Sequence, residues 1–317
     1  MDDKSIDNKQ DEKYFIGNVV FDIPIFNASG CWVMNNEQMM ELNESKFGGI
    51  VSKTCTIFSK TGNDEPNYFY DEVNNIHFNC KGLPNYGYNY YRNVSNNITK
   101  PFFLSVAYDK TENLMTIFND YGEYINNINN NINNNKCLIE INMSCPNFEN
   151  RISGYHLDEI ESICTNICFK KVSEKNFNKL MFGLKLPPYF EIEFIYKLAL
   201  ILNKYSDAIK FITMSNTVPI TLPIYDNEFV LSNKYGGLSG KINKYIAMGN
   251  IYTIKKKLIN DIKIIGCGGI ETLQDIQDYK KVGADFFQLG SCFYDDISNK
   301  LDVDKINELI DAFKNQK

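Results

Sequence analysis

The segment at 140–147, EINMSCPN, carries residue types that suit a ligand-binding or catalytic site. It begins inside an apolar run, so its polar part falls where a strand would end. Asn142 and Asn147 each offer hydrogen-bond donors and acceptors, which suit a planar, amide-bearing ligand. Cys145 between them could be a nucleophile or a general base. A cysteine is more often a buried, inert thiol, but its place in a strand-end loop between two asparagines favours the functional interpretation.

Two lysines stand in apolar surroundings. Lys53 closes the apolar run at 49–54, and Lys185 lies within the run at 181–186. A lysine in an apolar strand is costly unless its charge is paired or used. Each could form an ion pair inside the protein, stabilise an electron-rich cofactor, or serve as a Schiff-base amine.

Glycines follow the last two apolar runs. The sequence GCGGI occupies 266–270 before a predicted helix, and Gly290-Ser291 follows the final run. Glycine lets the backbone approach an anion, and N–H groups at a helix N-terminus can hold it. A tight turn alone would explain one such motif, but two at neighbouring strands favour a phosphate site.

The elements that must position these residues alternate along the chain. Apolar runs without alternating polarity predict strands that are buried on both faces, at 24–28, 49–54, 101–107, 137–142, 181–186, 209–214, 263–267 and 285–289. Amphipathic stretches predict helices at 35–46, 157–171, 191–204, 241–259, 272–281 and 304–313. Eight strand-like runs with intervening helices predict an α/β fold, a (β/α)₈ TIM barrel. The long insertions at 55–100 and 217–240 both follow strand ends, where a barrel assembles its active site.

The composition is that of a globular protein, with 317 residues of which 44% are hydrophobic and 23% charged. A net charge of −6 without a basic stripe argues against a nucleic-acid partner. Nine cysteines without a C-x-x-C pair, and two histidines, give no support for a metal site or a disulfide framework. The first residues are polar, and no apolar run reaches the length of about 18 residues typical of a membrane span. We therefore expect a disordered tail at 1–13, one domain at 14–317, no membrane association and a cytoplasmic location.

Taken together, the motifs resemble dihydroorotate dehydrogenase, specifically the soluble, fumarate-using class 1A. The resemblance covers the chain from about Phe15 to the last helix, in the family's order. It is carried by NMSCPN at 142–147, NCKGLPN at 79–85, KLPPYF at 185–190 and GCGG at 266–269. NASG at 27–30 and SKT at 52–54 fit the family's first two strand ends.

This resemblance implies roles for individual residues. Cys145 would be the base that removes a proton from C5 of dihydroorotate while hydride passes from C6 to FMN. Lys53 would contact flavin and substrate, and Lys185 would lie near the flavin edge where reduction builds negative charge. The implied substrate-binding residues are Lys53, Asn79, Gly82, Leu83, Asn142, Asn147, Asn216 and Thr217. The implied FMN-binding residues are Ala28, Ser29, Gly30, Lys53, Thr54, Asn142, Lys185, Ser215, Gly240, Gly268, Gly269, Gly290 and Ser291.

The resemblance also implies the reaction partners, and three alternative functions stay open. It implies dihydroorotate and orotate, fumarate and succinate, a place in pyrimidine biosynthesis, and a homodimer. Lys81 stands where the family usually has methionine, and Ser239 replaces a glycine. The alternatives are an NAD-linked class 1B enzyme with a partner subunit, a flavin-free aldolase that uses Lys185, and a catalytically silent flavin-binding barrel.

Overall fold

The structure is a computed structural model that describes residues 12–30, 32–127, 137–144, 152–259, 261–295 and 300–316. The strands, numbered along the chain, are β1 (Tyr14–Ile16), β2 (Val19–Phe21), β3 (Ile25–Asn27), β4 (Ile50–Val51), β5 (Tyr68–Asp71), β6 (Ile76–Asn79), β7 (Phe102–Val106), β8 (Cys137–Asn142), β9 (Met181–Leu186), β10 (Ile209–Met214), β11 (Val218–Thr221), β12 (Ile224–Tyr225), β13 (Glu228–Phe229), β14 (Gly236–Gly240), β15 (Lys263–Cys267), β16 (Phe286–Leu289), β17 (Tyr294–Asp295) and β18 (Lys300–Leu301). The α-helices are α1 (Asn36–Glu44), α2 (Tyr88–Val94), α3 (Thr111–Asn127), α4 (Leu157–Ser173), α5 (Ile192–Lys204), α6 (Asn243–Lys255), α7 (Leu273–Val282) and α8 (Val303–Asn315).

An eight-stranded sheet forms the centre of the fold, in the order β3-β16-β15-β10-β9-β8-β7-β4. Its paired neighbours are parallel, and helices separate most of its strands along the chain. This confirms the predicted (β/α)₈ barrel. The strand predictions at 137–142, 181–186, 209–214 and 263–267 match β8, β9, β10 and β15 to the residue. A strand that is packed on both faces has apolar residues at most positions. The first and last residues of such a strand can therefore be predicted from the limits of the apolar run.

The barrel closes at a seam between β3 and β4. A single parallel bridge joins Phe26 and Gly49, and β4 is only two residues long. The buried side chain of Asn27 supplies further pairing. Its Nδ2 donates to the carbonyl oxygen of Val51 at 2.7 Å, and its Oδ1 accepts from the Val51 N–H at 2.9 Å. An amide side chain thus completes the pairing of β3 with β4.

The barrel interior changes character along its axis. At the amino ends of the strands, Phe26, Phe103 and Phe211 pack together with ring centroids 5.1–5.5 Å apart. The β1–β2 hairpin covers this end and adds Phe21, whose ring centroid lies 5.0 Å from that of Phe26. Nearer the carboxyl ends, the buried residues are polar and completely inaccessible to solvent: Ser105, Glu140, Thr213 and Gln288. The apolar layer closes the barrel at the amino ends of the strands. The polar layer lies inside the barrel near their carboxyl ends.

The two insertions meet in a separate four-stranded sheet of order β11-β14-β6-β5. The strands β5 and β6 come from residues 55–100, whereas β11 and β14 come from residues 217–240. The register places Asn79 opposite Gly237 and Ile76 opposite Gly240. Both insertions therefore contribute strands, as well as loops, to one structure beside the barrel.

Some elements were missing from the sequence prediction, and some boundaries were wrong. The helices α2 and α3 and the β1–β2 hairpin were not predicted, and α6 ends at Lys255 instead of residue 259. No helix of the described residues is long and apolar enough to cross a membrane. Residues 1–11 lie outside the described part of the chain, so the division into a tail and one domain stays a prediction.

Candidate functional site

A pocket lies at the carboxyl ends of the barrel strands, beside the sheet that the insertions form. Every predicted site residue that the structure describes lines it. These residues are Ala28, Ser29, Gly30, Lys53, Thr54, Asn79, Gly82, Leu83, Asn142, Lys185, Ser215, Asn216, Thr217, Gly240, Gly268, Gly269, Gly290 and Ser291. Cys145 and Asn147 lie outside the described residues. Most of the predicted residues meet because the carboxyl ends of all barrel strands converge on one face. The two insertions bring in the others, which are Asn79, Gly82, Leu83, Thr217 and Gly240.

One side of the pocket is a cradle of backbone. Gly240 and Gly269 have positive φ values of 98° and 59°, which other residues rarely adopt. A Cβ at Gly269 would lie 2.9 Å from the carbonyl oxygen of Gly240, and one at Gly240 would lie 2.4 Å from that of Asn75. Both positions therefore require glycine, and their backbone stays open to a ligand.

Backbone N–H groups at the start of α7, next to this cradle, already have hydrogen-bond partners within the protein. Asp275 accepts hydrogen bonds from the backbone N–H of Glu271 at 3.0 Å and of Thr272 at 2.8 Å. Thr272 and Asp275 form a capping box, which satisfies the first N–H groups of the helix. An anion in the pocket would therefore depend more on the glycine backbone and on Ser291 than on these N–H groups.

Both predicted lysines are nearly buried in the pocket wall. Lys53 is 6% exposed and donates from Nζ to the carbonyl oxygen of Gly30 at 2.8 Å. Lys185 is 4% exposed and donates from Nζ to Oε1 of Gln288 at 3.3 Å. Two cationic side chains thus enter one cavity, Lys185 from β9 and Lys53 from the segment just after β4.

Amide and hydroxyl side chains form a connected group beside the lysines. Oδ1 of Asn142 accepts from Nδ2 of Asn216 at 3.0 Å and from the Ser144 N–H at 3.1 Å. Nδ2 of Asn142 donates to Thr54 Oγ1 at 3.4 Å, and that hydroxyl lies 2.8 Å from Ser29 Oγ. These contacts fix the amide orientations before any ligand binds, which lowers the entropic cost of binding.

The sheet of β5, β6, β11 and β14, the insertion sheet, supplies one wall of the pocket, and its strands are not among those that the sequence predicts. The hydroxyl of Tyr68 lies 2.7 Å from Nδ1 of His77, and the ring of Tyr70 stacks on His77 at 4.3 Å. Lys81 Nζ lies 5.1 Å from the centroid of the Tyr68 ring. Tyr68, His77 and Lys81 all line the pocket. The sequence IHFN at 76–79 alternates in character, and that signal could have indicated a strand with one face toward the site.

Asn243 is a further lining residue that sequence reasoning missed. It is 1% exposed, and its Nδ2 donates to the Asn216 carbonyl oxygen at 3.2 Å. Its Oδ1 and the hydroxyl of Ser215 are buried without a hydrogen-bond partner among the described residues. Buried polar atoms are normally satisfied, so these two atoms could pair with a water molecule or with a polar ligand in the pocket. The only sequence signal for Asn243 is its place three residues after Gly240.

Comparison with known proteins identifies the family. The sequence profile of dihydroorotate dehydrogenase matches residues 13–312. The chain belongs to the dihydroorotate dehydrogenase family. Members of this family are oxidoreductases, and the resemblance seen in the sequence motifs is confirmed.

Relatives agree with the assignment to dihydroorotate dehydrogenase, and a solved structure agrees with the fold. A Streptococcus pyogenes protein named dihydroorotate dehydrogenase A (fumarate) is 31% identical over 292 residues, which cover 88% of this chain and 86% of the relative. A Streptococcus pneumoniae protein of the same name is 30% identical over 317 residues, covering 94% and 96%. A crystal structure of an Eimeria tenella DHODH in complex with ferulenol superimposes with a TM-score of 0.72 at 18% identity, covering 98% of this chain and 87% of that chain. At that identity the structural likeness supports the fold.

Proposed function

We propose that this chain is an FMN-dependent enzyme that oxidises (S)-dihydroorotate to orotate in pyrimidine biosynthesis, with fumarate as the oxidant. The observation that carries the proposal is the pocket at the carboxyl ends of the barrel strands, in which a glycine cradle, two buried lysines and a group of oriented amides line one cavity. The streptococcal relatives named as fumarate-type enzymes support the choice of oxidant. A homodimer follows from the family resemblance alone.

The pocket fits a flavin mononucleotide. Its phosphate needs close backbone approach, which the glycine cradle at Gly240 and Gly269 offers. Its ring carries polar edges, and the unpaired buried atoms of Ser215 and Asn243 offer groups to meet them. Ser29, Thr54 and Asn142 add hydroxyl and amide groups.

Oxidation of dihydroorotate removes a proton from C5 and a hydride from C6, and a C5–C6 double bond forms. Bound flavin supplies the acceptor for the hydride. The thiolate of Cys145 would accept the C5 proton, a role that rests on the family resemblance. Lys53, with its ammonium held at the Gly30 carbonyl, would bind the anionic substrate, and Asn79, Asn142 and Asn216 would hold its amide edges.

Lys185 would stabilise the negative charge that builds in the site during reduction. Its ammonium is nearly buried, so its field is weakly screened by water. A fixed positive charge favours the state in which the site carries an added negative charge. The same charge would lower the free energy of the transition state for hydride transfer.

An anaerobic titration tests this proposal directly. We expect the purified chain to show a flavin spectrum in the visible range, and we expect that absorbance to bleach when dihydroorotate is added without oxygen. A colourless protein that stays inactive after incubation with FMN would contradict the flavin assignment. A flavin spectrum that dihydroorotate leaves unchanged would support a silent flavin-binding barrel instead.

Exchange of Cys145 tests the general base. A free cysteine has a pKa of about 8.5, and only its thiolate can take the proton. We expect Cys145→Ala to keep its bound flavin and to slow flavin reduction by dihydroorotate by about two to four orders of magnitude in stopped-flow measurements. Cys292→Ala, at another pocket thiol, is the matched control and should reduce at nearly the wild-type rate. Near wild-type reduction in Cys145→Ala would remove this residue from the mechanism.

The oxidant is tested by steady-state kinetics of the isolated chain. If fumarate uses the pocket that dihydroorotate has left, the kinetics are ping-pong, and each reactant at high concentration inhibits competitively against the other. We expect turnover with fumarate without a partner protein or detergent. Turnover with NAD or with long-chain quinones, and none with fumarate, would refute the fumarate assignment and leave dihydroorotate oxidation in place.

A further inference from the structure

A carboxylate lies inside the barrel, one layer below the pocket. Glu140 is on β8 and is completely inaccessible to solvent. Its Oε2 accepts a hydrogen bond from Thr213 Oγ1 and another from Gln288 Nε2, both at 2.7 Å. Its Oε1 has no hydrogen-bond partner among the described residues. A charged group buried at this depth is costly unless an opposite charge compensates it.

Gln288 connects this carboxylate to Lys185. While Nε2 of Gln288 donates to Glu140, its Oε1 accepts from Nζ of Lys185 at 3.3 Å. An ionised carboxylate can only accept hydrogen bonds, so it draws the NH₂ end of the amide toward itself. The carbonyl end of the amide then faces Lys185. Glu140 thereby orients the Gln288 amide so that its carbonyl oxygen, and not its NH₂ group, faces Lys185.

We propose that Glu140 is a positioning residue whose negative charge, relayed through Gln288, holds Lys185 as an ammonium ion directed at the pocket. Burial by itself disfavours the charged form of a lysine, and a nearby carboxylate favours it. Lys53 and Lys81 line the same pocket and add positive charge, which makes a compensating anion more necessary. The consequence for hydride transfer, that Lys185 enters the reaction already charged, rests on the proposed function.

Other titratable groups also line the pocket that Lys185 enters. The described ones that line the pocket are Lys53, Tyr68, His77, Lys81, Cys267, Glu271 and Cys292. Glu271 is the carboxylate of this set, and its oxygens accept from Asn75 Nδ2 at 3.0 and 3.2 Å, at the insertion sheet. On the strands beside β9, Lys185 lies opposite Asn142 and Thr213, which are uncharged. Glu140 is therefore the carboxylate that the described hydrogen bonds link to Lys185.

The ionisation of Lys185 in the purified 317-residue chain tests this proposal. The ¹³Cε resonance of labelled lysine reports the ammonium form, and a Lys185→Arg variant identifies the signal. In Glu140→Gln, which keeps the side-chain shape, we expect the titration midpoint of Lys185 to fall by at least about one pH unit, a tenfold rise in its neutral form. Thr213→Val is the matched control, because it removes a hydrogen bond to the same carboxylate without removing a charge. Its midpoint should stay near that of the wild type.

Moving the negative charge from position 140 to position 288 distinguishes an electrostatic role of Glu140 from a packing role. In the double variant Glu140→Gln with Gln288→Glu, the carboxylate moves next to Lys185 and the amide moves to position 140. The total charge is preserved. The amide at position 140 then donates to the carboxylate at position 288 and to Thr213 Oγ1, so these two hydrogen bonds keep their partners and reverse their direction. We expect the Lys185 midpoint to return to the wild-type value or above it. A residue that acted only through packing would show no such rescue.

The outcomes that overturn the proposal are distinct from those that overturn the proposed function. An unchanged midpoint in folded Glu140→Gln would overturn the role of Glu140. If that variant does not fold, the double variant decides, and a midpoint below the wild type would overturn the role. Because the resonance is read without any turnover, a chain that failed to oxidise dihydroorotate while showing these shifts would refute only the proposed function.

Discussion

At the scale of single residues, Lys81 gives the pocket a charge that the family resemblance does not predict. Its ammonium lies over Tyr68 in the wall that the insertion sheet forms. Coulomb attraction scales with ligand charge, so a dianion such as fumarate gains more from Lys81 than the monoanion dihydroorotate. We expect Lys81→Met to raise the KM for fumarate by about threefold at low ionic strength, and the KM for dihydroorotate by less.

Salt and a charge-conserving exchange provide the controls for Lys81. At about 1 M ionic strength, where the Debye length is near 3 Å, the two KM values of Lys81→Met should approach those of the wild type. Lys81→Arg keeps the positive charge and should keep the preference for fumarate. Equal KM values for wild type and Lys81→Met at low salt would show that this charge does not act on bound ligand.

At the scale of elements, one side chain strengthens the closure of the barrel at the seam between β3 and β4, where few backbone pairs join the strands. Asn27 is 4% exposed and makes two hydrogen bonds to the backbone of Val51. Asn27→Leu would leave a buried N–H and a buried carbonyl without these partners, at a cost of about 1–3 kcal/mol each. We expect the free energy of unfolding in urea to fall by about 2–4 kcal/mol.

An exposed asparagine provides the comparison for the seam. Asn233 lies at the surface in a turn between β13 and β14, and Asn233→Leu changes the same atoms outside the core. Its free energy of unfolding should stay within about 0.5 kcal/mol of the wild type. A similarly small change for Asn27→Leu would mean that the bridge between Phe26 and Gly49 is sufficient to close the barrel.

At the scale of the whole molecule, buried tyrosines make stability depend on alkaline pH. Burial raises the pKa values of Tyr121, Tyr189 and Tyr279 well above the usual value of tyrosine. Below about pH 10 these phenols are protonated in both states, so their contribution is fully present. Above it the unfolded chain releases their protons and the folded chain keeps them, so stability falls. We expect the urea midpoint to decrease steeply above pH 10.

Removal of one phenol tests the cause of this pH dependence. The Tyr121 hydroxyl is buried beside Cys137 and Ser95 without a close hydrogen bond to either, so its removal takes away no strong pairing. Tyr121→Phe should therefore fold, and its stability should fall less steeply with pH above 10, by the equivalent of one proton. The last part of the tyrosinate absorbance, which comes from the buried tyrosines, should appear together with unfolding. Ionisation of all tyrosines before unfolding begins would contradict this account.

Much of the architecture was determined by the sequence alone. Apolar runs such as Cys137–Asn142 and Met181–Leu186 specify strands because a strand covered on both faces needs apolar residues at nearly every position. Glycine and asparagine at the strand ends marked the site, since the carboxyl ends of barrel strands converge. Their placement in one pocket follows from that geometry. Their chemical roles, and that of Cys145 outside the described residues, stay predictions.

Only the tertiary structure decided which distant groups meet. Glu140 and Gln288 stand in apolar runs 148 positions apart, and nothing local to either one indicates that their side chains pair inside the barrel. Asn79 and Gly237 likewise come together only because the two insertions form one sheet. A periodic pattern reports the surroundings of neighbouring residues, because a helix or strand is a local repeat. The partner of a buried polar side chain is set by closure of the barrel, which brings strands from the whole chain around one axis.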